Sequence, residues 1–298
     1  MTTFDRRRIQ APETSYAPTF ESSSITVDNG LGLGNDGFHV GSSSERKERP
    51  LFFKAGLIDQ ANGSGYVEIG GVKIACSVYG PRPKQPPYSP EGTLNLEIKF
   101  APFASHPRRA PLRDTEPIPL STLLYRLLLP CLQLHLLPKS SIDVFLLILE
   151  SDTLSNTLSA ALTVASGAIA NAGIPMSALG IGGVVVSIPS SIDLSLPHLS
   201  STTLQNKTTL NSMKGRGEGA GREKRSEIIC DPSIEEENRA EACLTLGVMP
   251  ALGKLSSCWF TGEADVEDVC LMVDCAVKET KMTHAVLATG LLESADVS

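Results

Sequence analysis

The sequence predicts an α+β fold in a single domain. Three observations carry this: two alternating apolar runs joined by a Gly-Gly pair, one helix-length segment built mostly of small residues, and strands and helices in mixed rather than regularly alternating order. A regular succession of strand and helix would point instead to a doubly wound parallel sheet.

Residues 1–50 are rich in Ser, Gly, Pro and charge, show neither a 2- nor a 3.6-residue period, and read as a flexible arm. Order begins near Leu51. Tyr66-Val67-Glu68-Ile69, then Gly70-Gly71, then Val72-Lys73-Ile74-Ala75-Cys76-Ser77-Val78 form a hairpin signal, because a two-residue primed turn needs a positive φ that glycine adopts at least cost. A third alternating run over 94–99 extends the hairpin into a meander with one dry face. A loop containing Pro and Arg over 101–119 leads into a Leu-rich helix over about 119–137, whose apolar residues nearly encircle it and place it between layers.

The apolar run 142–149 has strand length. Residues 155–171 form a helix of small side chains, Ala160, Ala161, Ala165, Gly167, Ala168 and Ala170 among them, which lets a sheet approach closely; Gly173 is its stop signal. A strand over 183–188 follows. Residues 189–225 lose all core periodicity and read as a disordered basic insertion, with six Lys or Arg against two Glu in 207–225. Strands resume over 227–230, 242–248 and 254–260. A closing helix starts near Asp265, where an acid can cap free amides, and runs towards Lys281. The domain therefore comprises 51–188 and 226–288, and 289–298 is a C-terminal tail.

Composition narrows the function classes. The 41% apolar content over 298 residues supports a core, and 26 basic against 33 acidic residues give a net charge of -7, which excludes a protein that coats nucleic acid by bulk charge. The seven cysteines, at 76, 131, 230, 243, 258, 270 and 275, show no CxxC pair and no His at finger spacing, so no zinc site is expected and the thiols read as reduced core residues of the cytosol or nucleus. No apolar segment follows Arg6-Arg7-Arg8, so no secretion signal is read there, and the sequons at Asn62 and Asn206 are chance matches. The run 120–137, interrupted by Arg126, Pro130 and His135, is a buried helix and not a membrane span.

Several ordered stretches carry a resemblance. Gly63-Ser64-Gly65-Tyr66-Val67-Glu68 and Lys73-Ile74-Ala75-Cys76-Ser77-Val78-Tyr79-Gly80-Pro81-Arg82 come first. Phe100-Ala101-Pro102-Phe103-Ala104 with Arg108-Arg109, Ile142-Asp143-Val144-Phe145, Ala170-Asn171-Ala172-Gly173-Ile174-Pro175-Met176 and Cys230-Asp231-Pro232-Ser233 follow in order. Together they resemble the RNase PH-like proteins of the RNA exosome ring, with a subtype signal in Arg6-Arg7-Arg8, Gly56-Leu57-Ile58 and the 231–237 stretch. The resemblance implies a β-α-β-α fold of the ribosomal protein S5 second-domain type. It also implies a six-membered ring of RNase PH-like subunits with cap subunits bearing RNA-binding domains, RNA in a central channel, no membrane, and a place in nucleus, nucleolus and cytoplasm.

Phosphorolysis needs a bound phosphate, cations or amides to hold it, and carboxylates for metal and proton work. Catalytic relatives hold phosphate with a Thr-Arg-Thr-like stretch at the start of the small-residue helix; counting back from 168–172 puts Thr157, Leu158 and Ser159 there, and Leu158 cannot neutralise phosphate. Asp231 matches the first catalytic Asp of the family, but the second becomes Glu237, within what reads as a solvated acidic turn, Glu235-Glu236-Glu237. These degenerate positions, Leu158, Asp231 and Glu237, imply a noncatalytic scaffold with no cofactor and no metal; the alternative is a phosphate-dependent 3′–5′ exoribonuclease, and a free RNA-binding protein is a third reading. His135 reads as a partly buried helix histidine. Arg82, Lys84, Arg108, Arg109 and Arg113 are five cations on loops that a meander could gather at one end. They would grip RNA phosphates without reading bases, or else meet solvent or an acidic neighbour.

Overall fold

A computed structural model describes residues 50–84, 86, 88–104, 108, 118–189 and 226–297. The expected arm up to residue 49, the insertion over 190–225, and Arg109 and Arg113 lie outside the described residues.

The first sheet holds β1 (Leu51–Ala55), β2 (Gly63–Ile69), β3 (Val72–Pro83), β4 (Thr93–Phe100) and β5 (Ser140–Glu150), in the spatial order β1-β2-β3-β5-β4. The hairpin forms as expected. Ile69 faces Val72 across the turn and Gly70 takes φ 54°, the left-handed region where a β-carbon would clash. The expected meander does not form. Strand β4 pairs with β5 in parallel, Leu94 beside Ile142, and β5 enters between β3 and β4. Parallel neighbours need a long crossover, which the segment between them supplies. That crossover contains α1 (Ile118–Leu128), which stops where Pro130 removes an amide and continues as two 3₁₀ turns, Leu129–Cys131 and Leu134–Leu136. The single helix expected to 137 is thus three pieces, and His135 on the last turn is exposed rather than partly buried.

The second sheet is antiparallel, with β6 (Ile181–Pro189), β7 (Ser226–Cys230), β8 (Ala242–Met249) and β9 (Lys254–Gly262) in the order β7-β6-β8-β9. Helix α2 (Leu154–Asn171) lies between the sheets, and every residue from Ser155 to Ile169 is buried. Its small residues are explained by backbone contact. A β-carbon on Gly63 of β2 would lie 2.4 Å from the Ala168 carbonyl oxygen, and one on Gly182 of β6 would lie 2.3 Å from the Ser159 carbonyl oxygen. Buried hydroxyls serve the same seam: Thr163 Oγ1 accepts from the Gly182 N–H at 3.1 Å, and Ser166 Oγ donates to the Gly180 carbonyl at 2.6 Å.

A short α3 (Ile234–Arg239) follows β7, and α4 (Val266–Val297) closes the chain. Met272 and Ala276 of α4 pack on Val185, Leu244 and Leu246 of the second sheet. Further along, Leu287 joins the main core, and Gly290 sits so close to Phe53 of β1 that a β-carbon there would lie 2.9 Å from the ring. This distant partner carries the helix past Lys281 and through 289–297, the residues expected to be a tail. No helix among the described residues is long and apolar enough to cross a membrane.

The Gly182→Ala variant should lower the urea unfolding free energy by about 3 kcal/mol or more, since the added methyl meets helix backbone that cannot give way. Gly71→Ala, whose β-carbon would lie 3.6 Å from Asp152, should change it by under about 1 kcal/mol. Equal unfolding midpoints for the two variants would contradict the direct helix-on-sheet contact.

Candidate functional site

The N-terminal end of α2 opens beside the β7–α3 connection. Thr153 caps the helix, its Oγ1 accepting from the Asn156 N–H at 3.2 Å. Strand β7 ends at Cys230, and Asp231 then turns the chain at φ 48° while its N–H donates to the Val184 carbonyl at 2.9 Å. Ser233 next caps α3 in a capping box: its Oγ accepts from the Glu236 N–H, and its own N–H donates to Glu236 Oε2 at 2.7 Å.

Two side chains of α2 fasten this connection. Asn156 Nδ2 donates to the Pro232 carbonyl at 2.8 Å and reaches Asp152 Oδ2 at 3.5 Å. Ser155 Oγ donates to Glu237 Oε1 at 2.8 Å and lies 3.3 Å from Cys243 Sγ. Burial pushes the Cys243 thiol up to about 11. Burial also raises the Cys230 thiol, with the Glu279 carboxylate adding to the effect, so neither thiol is primed as a nucleophile.

Ile69, Val72, Asn156, Ser159 and Asp231 line a shallow crevice at this junction. Asp231 is therefore on the crevice wall, as its sequence position suggests. Glu237 is held against Ser155, and its Oε2 is buried with no hydrogen-bond partner among the described residues. The three glutamates are not one solvated turn: Glu235 is exposed near Arg239, Glu236 closes the capping box, and Glu237 docks α3 on α2.

Leu158 sits apart from the crevice. It is fully buried in the main core and does not touch the crevice. At 3.6 residues per turn it lies about 200° around α2 from Asn156. The α2 residues that line the crevice are Asn156 and Ser159, and none of the five lining residues is a cation. Among the described residues, no three His, Cys, Asp or Glu side chains are grouped to hold a metal ion.

The predicted cations fall elsewhere. Arg82 lies ten residues along β3 from the crevice residue Val72, about 30 Å at 3.3 Å per residue. It is exposed, and its guanidinium carbon stands 5.2 Å from the Tyr79 ring centroid. Beyond it the Lys84 N–H donates to the Lys139 carbonyl at 2.9 Å. Arg108 is exposed after β4. Two neighbours escaped the sequence reading: Lys139, at φ 59°, holds its ammonium 5.4 Å from the Tyr88 ring centroid. The Pro138-Lys139 pair ahead of a strand was their only signal.

A family model for the 3′ exoribonuclease family, domain 1, matches residues 47–175. The "Exosome complex component MTR3" of Chaetomium thermophilum is 27% identical over 97% of this chain and 99% of its own, and the human protein of that name is 29% identical over 89% and 85%. These names agree with the mRNA transport regulator three subtype, to which Gly56-Leu57-Ile58 and the 231–237 stretch point. The "Exosome complex component Rrp41" of Pyrococcus furiosus is 31% identical over 79% of this chain and 80% of its own. The crystal structure of rice Rrp46 superposes with a TM-score of 0.61 at 17% identity, covering 83% of this chain and 96% of that one, and so shares the fold. The chain belongs to the RNase PH family of 3′ exoribonuclease-like proteins.

Proposed function

We infer that the protein is a noncatalytic structural subunit of an RNA exosome core ring. It pairs with other RNase PH-like subunits beneath cap subunits bearing RNA-binding domains and lines a channel for RNA processed 3′ to 5′, in nucleus, nucleolus and cytoplasm. The observation that carries the inactive reading is the crevice at the head of α2. Its polar residues are Asn156, Ser159 and Asp231, and Asn156 is committed to holding the Pro232 carbonyl. A phosphate nucleophile there would face the Asp231 carboxylate, and none of the five described lining residues is a cation to offset it. Losing a single electrostatic stabiliser can already lower kcat by a factor of about 100 to 1,000. The position of Asp231 on the crevice wall favours the second reading, a phosphate-dependent exoribonuclease.

Separation supports the scaffold role as well. RNA gripped near Arg82 is about 30 Å along β3 from the crevice, a geometry suited to passing a strand onward rather than to cutting it. Exposed apolar side chains, Phe103, Ile118 and Leu292 among them, suit burial against neighbouring subunits and should leave the isolated chain poorly soluble.

Purified protein, alone or with its ring neighbours, should release no nucleoside diphosphate from RNA and inorganic phosphate. Robust release that Asp231→Ala abolishes would establish the enzyme instead. Because Asn156 serves structure, Asn156→Ala should speed hydrogen exchange of the 231–239 amides and cost about 1–3 kcal/mol of stability; exchange as slow as in the wild type would contradict that role. Reversing Arg108 and Arg109 to Glu should weaken RNA passage through the assembled ring and flatten its salt dependence, whereas an unchanged affinity and slope would assign those arginines to a protein contact or to solvent.

A further inference from the structure

We propose that Tyr88 and Lys139, with Tyr79 and Arg82 beside them, form a ledge on which bases of single-stranded RNA stack while the cations hold the adjoining phosphates. This rests on the reading that RNA runs along this edge of the protein, and it names the side chains and the kind of contact.

Four observations carry it. First, Lys139 occupies the left-handed region at φ 59°, where glycine would cost less. Its backbone is used on both sides, the N–H donating to the Ser89 carbonyl at 3.3 Å and the carbonyl accepting from the Lys84 N–H at 2.9 Å. A glycine would satisfy those bonds equally well; what lysine adds is an ammonium over the Tyr88 ring. Second, Tyr88 is 59% exposed, a ring left in water rather than packed in a core. Third, the same motif repeats next to it. Arg82 stands over Tyr79, and Phe145 backs that ring edge-on at 5.8 Å and 68°. Fourth, the strand register ties the two pairs together, with Arg82 opposite Ser141 and Pro83 opposite Ser140, the residue after Lys139.

The local charge favours an anion. Arg82, Lys84 and Lys139 stand against Glu91 in the same connection and Asp143, opposite Tyr79, whose Oδ1 accepts from Asn95 Nδ2 at 2.7 Å. An exposed ring, Tyr88, and a half-buried one, Tyr79, interleaved with cations suit a sequence-tolerant grip on single strands, since every base has a π-face and every nucleotide a phosphate. A protein partner of comparable affinity would call for an apolar pocket around the rings, and here each ring carries a charge instead.

The test uses the full-length chain purified with its ring neighbours, a fluorescent single-stranded oligo(A) RNA, and inorganic polyphosphate as a competitor that has charge but no bases. Tyr88→Ala should weaken RNA binding roughly tenfold, Tyr88→Phe should stay within about twofold of wild type, and neither should alter the polyphosphate affinity. Lys139→Gly, which suits the backbone, should weaken both ligands and lower the salt slope by about one phosphate contact. RNA affinity that survives both Tyr88→Ala and Lys139→Gly but falls with Arg82→Glu overturns the ledge and leaves the RNA-facing edge standing. A wild-type assembly with no RNA affinity overturns both. Loss of the neighbouring subunits on Tyr88→Ala, with RNA affinity retained, makes the ledge a protein contact and overturns it.

Discussion

Everything in this fold follows from α2 lying in direct backbone contact with both sheets. The absent side chains of Gly63 and Gly182 let β2 and β6 come within contact distance of helix carbonyls, so the helix has no wet side between Ser155 and Ile169. A helix enclosed in this way must satisfy its polar groups internally, since an unpaired buried polar group costs more than a hydrogen bond gains. Thr163 and Ser166 do so by bonding the backbone at Gly182 and Gly180, which fixes where β6 begins. The head of α2 is thereby fixed as well, and with it the junction where the β7–α3 connection passes.

That junction is held together by its own polar groups. A helix N-terminus offers free amides and a positive dipole end, the usual elements of an anion site. Here Thr153 accepts from the Asn156 amide and the Asn156 side chain turns outward to the Pro232 carbonyl. Ser155, on the same turn, is spent on Glu237. Glu236 closes the capping box and Glu237 docks the six-residue α3 on α2. The polar groups are retained, but their partners lie within the chain, and the crevice that remains is shallow.

Local patterns made some of this legible in the sequence and distant partners concealed the rest. The β2–β3 hairpin follows from a period of two interrupted by Gly70-Gly71, and α2 from its small residues, because in both cases the signal and its cause lie within a few residues. Strand β4 was legible as a strand but not as the parallel neighbour of β5, since alternation reports a dry face and is silent about which edge it meets. The last turns of α4 depend on Phe53, more than 200 residues earlier. Leu158 lies near the helix head along the chain, and helical rotation turns it into the core. Asn156 and Ser159, which do line the crevice, carry no sequence motif, because only the helix face brings them together.

The net charge of -7 and a cluster of cations at the far end of β3 are compatible for a reason of distance. The acids of the β7–α3 connection sit at the Val72 end of β3, and Arg82 and Lys84 lie at and beyond the other end, about 30 Å away. Charges exposed to physiological salt are screened over about 8 Å, so a phosphate at Arg82 responds to Lys84, Lys139 and Asp143 and hardly to Asp231 or the α3 glutamates. The sum over the chain therefore governs solubility and bulk repulsion, while the end of β3 governs what is held there. The same separation sets the two ends of the domain to different tasks. At one end carboxylates join a helix to a loop, and at the other cations stand beside aromatic rings.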